Sequence, residues 1–414
     1  MRLRIPPALR HRRFRLLWIG LLISLAGSRM QFFALLWHIK QLSDEPIALG
    51  AVGLARLLPI ISLSPLAGLA ADSFDRRKIL FVTGTIQIGV AAALSLLTFT
   101  ESVELWHLYA LTAIQAAALS FGNPARQALT PNLVPTKDLQ NAFSMQSIAF
   151  TTGAIIGPAL TGLVLATPGY GQPYTYLFNA VSYLAILGAI CLIGPVAQRR
   201  DPSVGSRSQI ESIKAGVRFI RSQPVILSTM MLDFIATFFS SATALMPIFA
   251  ADILQVGEVG FGWLSAGQSM GAAVMAVFIS QVGELPRQGR LILGAVTVYG
   301  AATVAFGLAP TFPLALAALV LIGAADSLST IIRNTIRQLV TPDEMRGRMT
   351  SINQIFFIGG PQLGEVEAGL VAQWFGAPLA VISGGVLCVL SVLGVSWRWP
   401  QLRRYQQNPP LGSI

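Results

Sequence analysis

The apolar positions of this chain fall in long, nearly uncharged runs, not in the narrow stripes of a soluble amphipathic helix. A helix needs about 20 apolar residues to cross a bilayer. Twelve runs of that order can be traced, at 14–38, 47–71, 79–99, 104–123, 139–166, 174–194, 225–250, 257–282, 289–309, 313–336, 349–374 and 377–397. The strands of a transmembrane barrel are short and alternating, so continuous runs predict helices. The expected fold is all-α and integral to the membrane.

The pattern also repeats. Adding 207 to the positions of Arg126–Gly169 reproduces 11 identities in 44 positions within Arg333–Gly376. Gly153, Gly157, Gly162 and Gly169 fall on Gly360, Gly364, Gly369 and Gly376, and Arg126, Pro135 and Ser144 fall on Arg333, Pro342 and Ser351. The same offset joins Gly50, Val52, Gly53 and Leu57 to Gly257, Val259, Gly260 and Leu264. Shared non-apolar residues at one constant offset point to two homologous halves. The expected domains are a six-helix bundle over 1–194, a linker over 195–223 and a second six-helix bundle over 224–414. The linker places Ile210, Ile213, Val217 and Ile220 at helical spacing beside Lys214, Arg218 and Arg221, as an interfacial amphipathic helix would.

Composition agrees: 53% of the 414 residues are hydrophobic, 11% are charged and mean hydropathy is +0.64, whereas charged residues make up about a quarter of soluble domains. A net charge of +11 raises the question of nucleic acid, and the placement of the charges answers it. The arginines and lysines are spread over both tails and the even-numbered connections, with no nucleic-acid-binding motif. The opposite connections hold Asp44, Glu45, Glu101, Glu104, Asp252 and Glu258, with Lys40 their only basic residue. The positive-inside rule then places both termini in the cytoplasm. The first apolar run is too long for a signal peptide and is interrupted by Arg29, so no cleavage is expected. Cys191 and Cys388 lie in apolar runs and suggest neither a disulfide nor a metal site.

Charged groups inside the runs carry the candidate chemistry. A charge facing lipid near the bilayer centre costs on the order of 3 kcal/mol, so such groups face protein or water. The candidates for contact with substrate or proton are Arg29, Arg56, Gln115, Asp233, Asp326, Glu365 and Glu367. Under the 207 offset Asp326 stands opposite Leu119, Glu365 opposite Pro158 and Glu367 opposite Leu160: the halves agree in packing and differ in charge. Glu365 and Glu367 point about 200° apart on a helix and do not by default serve one site. The competing expectation is that each acid neutralises Arg29, Arg56 or a nearby backbone group. The small-residue stripe Gly153, Gly157, Pro158 and Gly162, with its repeat Gly360, Gly364 and Gly369, predicts close helix packing.

The segment Gly68-Leu-Ala-Ala-Asp72-Ser-Phe-Asp75-Arg76-Arg77-Lys78 resembles the motif between helices two and three of the major facilitator superfamily. Gly68, Asp72, Arg76, Arg77 and Lys78 match, while Ser73 and Asp75 replace an arginine and a glycine. The resemblance implies a cytoplasmic gate in which Asp72 meets the start of the eleventh helix near Arg346 or Arg348. The stripe Gly153-x-x-x-Gly157-Pro158-x-x-x-Gly162 is similar to the glycine-proline motif of exporters in this superfamily. The arginine that many proton-coupled members carry in helix four has no counterpart in the apolar part of this one.

The Pro124-Ala-Arg126-Gln run, the Val134-Pro135-x-x-Asp138-Leu139-x-Asn141-Ala142 run and the Arg333-Asn334-Thr echo resemble the bacterial branch that includes enterobactin exporters and macrolide efflux pumps. The resemblance implies twelve helices in two pseudo-symmetric bundles and alternating access. The implied activity is efflux of a small amphipathic molecule, drug or siderophore-like, from a monomer in the bacterial inner membrane. Helices one, four, seven and ten would line the cavity. Carboxyl groups in such a cavity can exchange protons, so a proton gradient is the candidate driving force, with no other cofactor.

The alternatives on the same fold are a lysophospholipid flippase and a small-metabolite importer, and outside transport a membrane sensor. An enzyme is not expected, because His11, His38 and His107 have no metal-ligand spacing and no phosphate loop is present.

Overall fold

In the computed structural model, residues 6–196, 209–282 and 285–406 are described. These residues form helices and connections, with no strand among them. A short helix α1 (Pro7–Arg10) leads into α2 (Arg12–Leu42), α3 (Pro46–Ser73), α4 (Arg76–Phe99), α5 (Leu105–Leu129), α6 (Leu139–Leu165) and α7 (Gly171–Ile193). After the linker come α8 (Gln209–Ser222), α9 (Pro224–Phe239), a single turn α10 (Met246–Ile248), α11 (Gly257–Gln281), α12 (Gln288–Gly307), α13 (Phe312–Val340), α14 (Asp343–Phe375), α15 (Ala377–Arg398) and α16 (Pro400–Arg404).

Local chemistry sets several of these boundaries. Pro46 opens α3, where its missing N–H costs nothing. Asp75 caps α4 by accepting from the Arg77 backbone N–H at 2.9 Å. Glu104 and His107 form a reciprocal cap at the start of α5. The duplicated pair Gly169 and Gly376 have φ of +77° and +85°, a conformation that strains other residues; their recurrence in both halves is conformational. Just past the C-terminus of α2, Asp44 pairs with Lys40 at 2.8 Å, and the Lys40 ammonium holds the Asp44 carboxyl below the usual carboxylate range.

Nine of the described helices are long and apolar enough to cross a membrane, and a tenth span arises if the end of α8 and α9, bent by 100°, are taken together. Eleven of the twelve expected runs each lie on one long helix, and the seventh, 225–250, is interrupted at residues 240–245. Two of them, α5 and α14, have the length but are diluted: α5 carries His107, Gln115, Asn123 and Arg126, and α14 opens on a charged turn and holds Glu365 and Glu367. α9 is cut short at Phe239 and resumes after a break as α10 and a π-helical turn, Phe249–Ile253.

The chain divides into two compact units, Met1–Asp201 with Gln255–Ala266, and Pro202–Leu254 with Gly267–Ile414. In the first, α2 is held on two sides. Against α7 it makes a buried polar seam in which Ser28 meets Tyr183 at 2.8 Å, Asn179 donates to Gln31 at 2.7 Å and His38 meets Tyr176 at 3.1 Å. Against α6 it packs on glycine: a Cβ on Gly153 would come within 3.0 Å of Leu25, and one on Gly157 within 2.5 Å of the Arg29 Cβ. The second unit repeats the arrangement with α14 on α9, where a Cβ on Gly360 would come within 2.4 Å of Thr237 Oγ1 and one on Gly364 within 2.3 Å of the Phe238 carbonyl. A stripe without side chains lets the two backbones meet.

The linker helix α8 turns Val217 and Ile220 onto Ile226, Met230, Met349 and Ile352. At these residues its apolar side is covered by protein, not left to a membrane surface. Ile210, Ile213 and Lys214, which complete the expected stripe, lie outside the residues whose side chains are described.

Candidate functional site

Within the second unit, α9 and α13 bring three charged side chains together, and α12 supplies part of the wall around them. Arg333 Nη2 stands 2.8 Å from Asp233 Oδ1 and 3.7 Å from Asp326 Oδ1, and donates to Thr330 Oγ1 at 2.7 Å. Asp326 and Arg333 are seven residues apart on α13, two turns and therefore one face, while Asp233 comes from α9. The exposures differ. Arg333 and Asp233 retain 3% and 7% of their side-chain surface, against 49% for Asp326. Asp233 thus serves as the buried counter-ion and Asp326 as the less enclosed carboxylate of the two. Ala236, Thr237, Val296, Tyr299, Ala325 and Ser329 complete the wall of a cavity of ≈ 10 Å³, about the room that one water molecule needs.

The glycine stripe of α14 positions this cluster. Gly360 lies against Thr237, one turn beyond Asp233, and Thr237 Oγ1 donates to the Asp233 carbonyl at 2.8 Å. Arg337, one turn further along α13, donates to Asn334 and to Asn353 of α14. Of the sequence candidates, the cluster gathers Asp233 and Asp326 and leaves out Glu365 and Glu367. Glu365 is buried on α14 and Glu367 half-buried. The cation of the two aspartates is Arg333, which in the sequence stands out as a marker of duplication and of family resemblance. The missed signal was an arginine two helical turns after an aspartate inside one apolar run.

Arg29 and Arg56 lie in the first unit, each against an aromatic ring: Arg29 Cζ is 5.2 Å from the Phe150 centroid and Arg56 Cζ 4.6 Å from that of Phe32. Gln115 is half-buried on α5, and its backbone carbonyl accepts from Gln87 at 3.1 Å.

In the gate motif, Arg76 donates to the Ala128 carbonyl at 2.8 Å and Arg77 to that of Ile190 at 3.0 Å. These arginines satisfy carbonyls at the ends of α5 and α7, where positive charge also favours the helix dipole. Lys78 is exposed and a Cβ on Gly68 would meet open space. The side chains of Asp72, Arg346 and Arg348 lie outside the described residues. The Asp138–Asn141 run anchors the N-terminus: Asn141 accepts from the Ala8 N–H at 2.9 Å, and Asp138 meets His11 at 2.8 Å.

The architecture and the whole length of the chain have relatives. The bacterial homologue of the human lysosomal transporter Spinster, in its inward-facing and unoccupied conformation, superposes with a TM-score of 0.72 at 14% identity, over 98% of this chain and 100% of that one. The D-xylose–proton symporter gives 0.70 at 14% identity, over 94% and 98%. At this identity the likeness is one of fold. In sequence, the enterobactin exporter EntS of Shigella boydii serotype 18 is 28% identical over 405 residues, 97% of this chain and 95% of that protein. The same exporter of Escherichia coli O1:K1 gives the same figures. The family model described as transmembrane secretion effector matches residues 6–410. A membrane-spanning all-α chain matched over nearly its whole length in this way is a multi-pass secondary transporter and not an enzyme, and it belongs to the transmembrane secretion effector family of the major facilitator superfamily.

Proposed function

We propose that this chain exports a small amphipathic molecule, of the drug or siderophore kind, across the bacterial inner membrane by alternating access, driven by a proton gradient. It acts as a monomer with both termini in the cytoplasm. The observation that carries the reading is the Asp233–Arg333–Asp326 cluster. Ionisable groups in membrane-spanning helices are costly and mark transport or proton pathways. The whole-length match to enterobactin exporters supports the direction.

The cluster supplies a coupling step without any further group. When the half-exposed Asp326 accepts a proton, its attraction for Arg333 at 3.7 Å is lost, while Asp233 keeps the arginine paired. The lost attraction is about 1 to 4 kcal/mol, depending on how much water enters the effective dielectric. A bias of 1.4 kcal/mol shifts a two-state equilibrium tenfold. The gate reading of Asp72 with Arg346 or Arg348 belongs to the same mechanism.

The test is flux in proteoliposomes. Lipophilic drugs and a catecholate siderophore are screened with and without an inward-directed proton gradient, and at least one is expected to move against its own gradient. Asp326→Asn should then lose gradient-driven flux tenfold or more while the protein elutes and unfolds as the parent does. Flux that ignores the proton gradient would remove Asp326 from the mechanism, and absence of any outward flux would overturn the export reading.

A further inference from the structure

The first unit holds two charges without a carboxylate partner among the described residues. Arg29 on α2 and Arg56 on α3 lie within membrane-spanning helices, and both are half-buried. Each Asp and Glu between Phe14 and Gly194 stands at a helix end or in a connection, as Asp44, Glu45, Asp72, Asp75, Glu101, Glu104 and Asp138. Neither arginine has a carboxylate partner among the described residues. The two are linked through one helix face: the Phe32 ring that Arg56 lies against stands three residues after Arg29 on α2. In the second unit the contrast is plain: Arg333 has two aspartates.

The surroundings of the pair are built for something planar and anionic. Phe150 lies against the Arg29 guanidinium and Phe32 against that of Arg56. A cation beside a ring is attracted to its face, and the N–H donors of a guanidinium lie in the guanidinium's own plane. That planar fork of donors matches the two oxygens of a carboxylate, a phosphate or a deprotonated catechol. The position is fixed from behind as well: Gly157 leaves no room between α6 and the Arg29 Cβ, and the Ser28–Tyr183 and Gln31–Asn179 contacts hold α2 on either side of that residue in sequence. Phe150 is 48% exposed, offering apolar surface beside the charge.

We propose that Arg29 and Arg56 form the site for the anionic group of the transported molecule, with Phe150 and Phe32 against its aromatic or apolar part. The substrate class is then an amphipathic anion. This deepens the export reading and rests on it only for the word transported, since binding can be measured without flux.

The experiment uses the full-length protein in neutral detergent and compares 1-naphthoate with its uncharged amide, 1-naphthamide, by calorimetry. The acid is expected to bind at least tenfold more tightly than the amide. Arg29→Gln and Arg56→Gln should each abolish that preference, and Arg29→Lys should retain part of it, because lysine keeps the charge and loses the bidentate fork. Arg398→Gln removes a guanidinium that stacks on Trp399 at the end of α15 and should change nothing.

Equal affinity for acid and amide overturns the proposal, as does an unchanged preference in both glutamine variants. If one of them fails to fold, the other carries the test. Competition with lysophosphatidylglycerol and with inorganic phosphate assigns the anion's source: displacement by the lysolipid alone identifies a lipid head group, and displacement by phosphate identifies a soluble anion. Absence of any acid preference in the parent protein alongside intact outward flux of a neutral drug sinks this inference and leaves export standing; an acid preference without outward flux sinks export alone.

Discussion

At the scale of single residues, the Asp233–Arg333 pair decides how charge is tolerated in the second unit. Removing one partner of a buried pair leaves the other uncompensated at a cost of about 3–5 kcal/mol. Asp233→Asn is therefore expected to lower the apparent melting temperature in detergent by several degrees, and Asp326→Asn by much less, because that carboxylate is half exposed. Replacing the pair with apolar residues of similar volume, Asp233→Leu with Arg333→Met, should recover most of the loss in stability without restoring transport. Equal destabilisation by the two asparagine variants would contradict the division into buried counter-ion and less enclosed carboxylate. Both aspartates were legible in the sequence as charges inside apolar runs. Their partner was not, since Arg333 matches Arg126 at the 207 offset and reads as a shared feature; only packing of α9 on α13 shows that one copy has acids beside it.

At the scale of helices, the duplicated glycines separate into two physical roles that sequence alone does not distinguish. Gly169 and Gly376 are needed for positive φ, whereas Gly153, Gly157, Gly360 and Gly364 are needed for contact. Gly157→Ala would set a methyl within 2.5 Å of the Arg29 Cβ and 2.7 Å of the Ala26 carbonyl, and overpacking of that kind costs about 1–3 kcal/mol. Gly89→Ala on α4 meets open space and should cost nothing, since alanine favours a helix by up to about 1 kcal/mol. Thermal unfolding of both variants checks the pair, and a Gly157→Ala protein as stable as Gly89→Ala would remove the stripe as the seat of Arg29. The Asp138–Asn141 run had its resemblance legible and its work hidden, because its partners Ala8 and His11 are more than a hundred residues away.

At the scale of the molecule, topology follows from loop charges, and it can be tested directly. In a background with Cys191→Ser and Cys388→Ser, a cysteine at Asp44 should react with an impermeant maleimide in intact cells, and one at Arg403 only after permeabilisation. Reaction at Arg403 from outside would invert the assignment. The sequence by itself determined the solvent of this protein, the number and order of its long helices and their duplication, because run length and periodicity are local properties that a bilayer enforces everywhere along the chain. It also determined which residues are chemically anomalous, since a charge in an apolar run is visible wherever it folds. Tertiary structure alone decided how those anomalies resolve. Asp233 and Arg333 are a hundred residues apart and neutralise each other, while Arg29 and Arg56, equally anomalous in sequence, lie against phenylalanine rings and have no carboxylate partner among the described residues. Pairing is a matter of distance in space, and a pattern along the chain does not carry it.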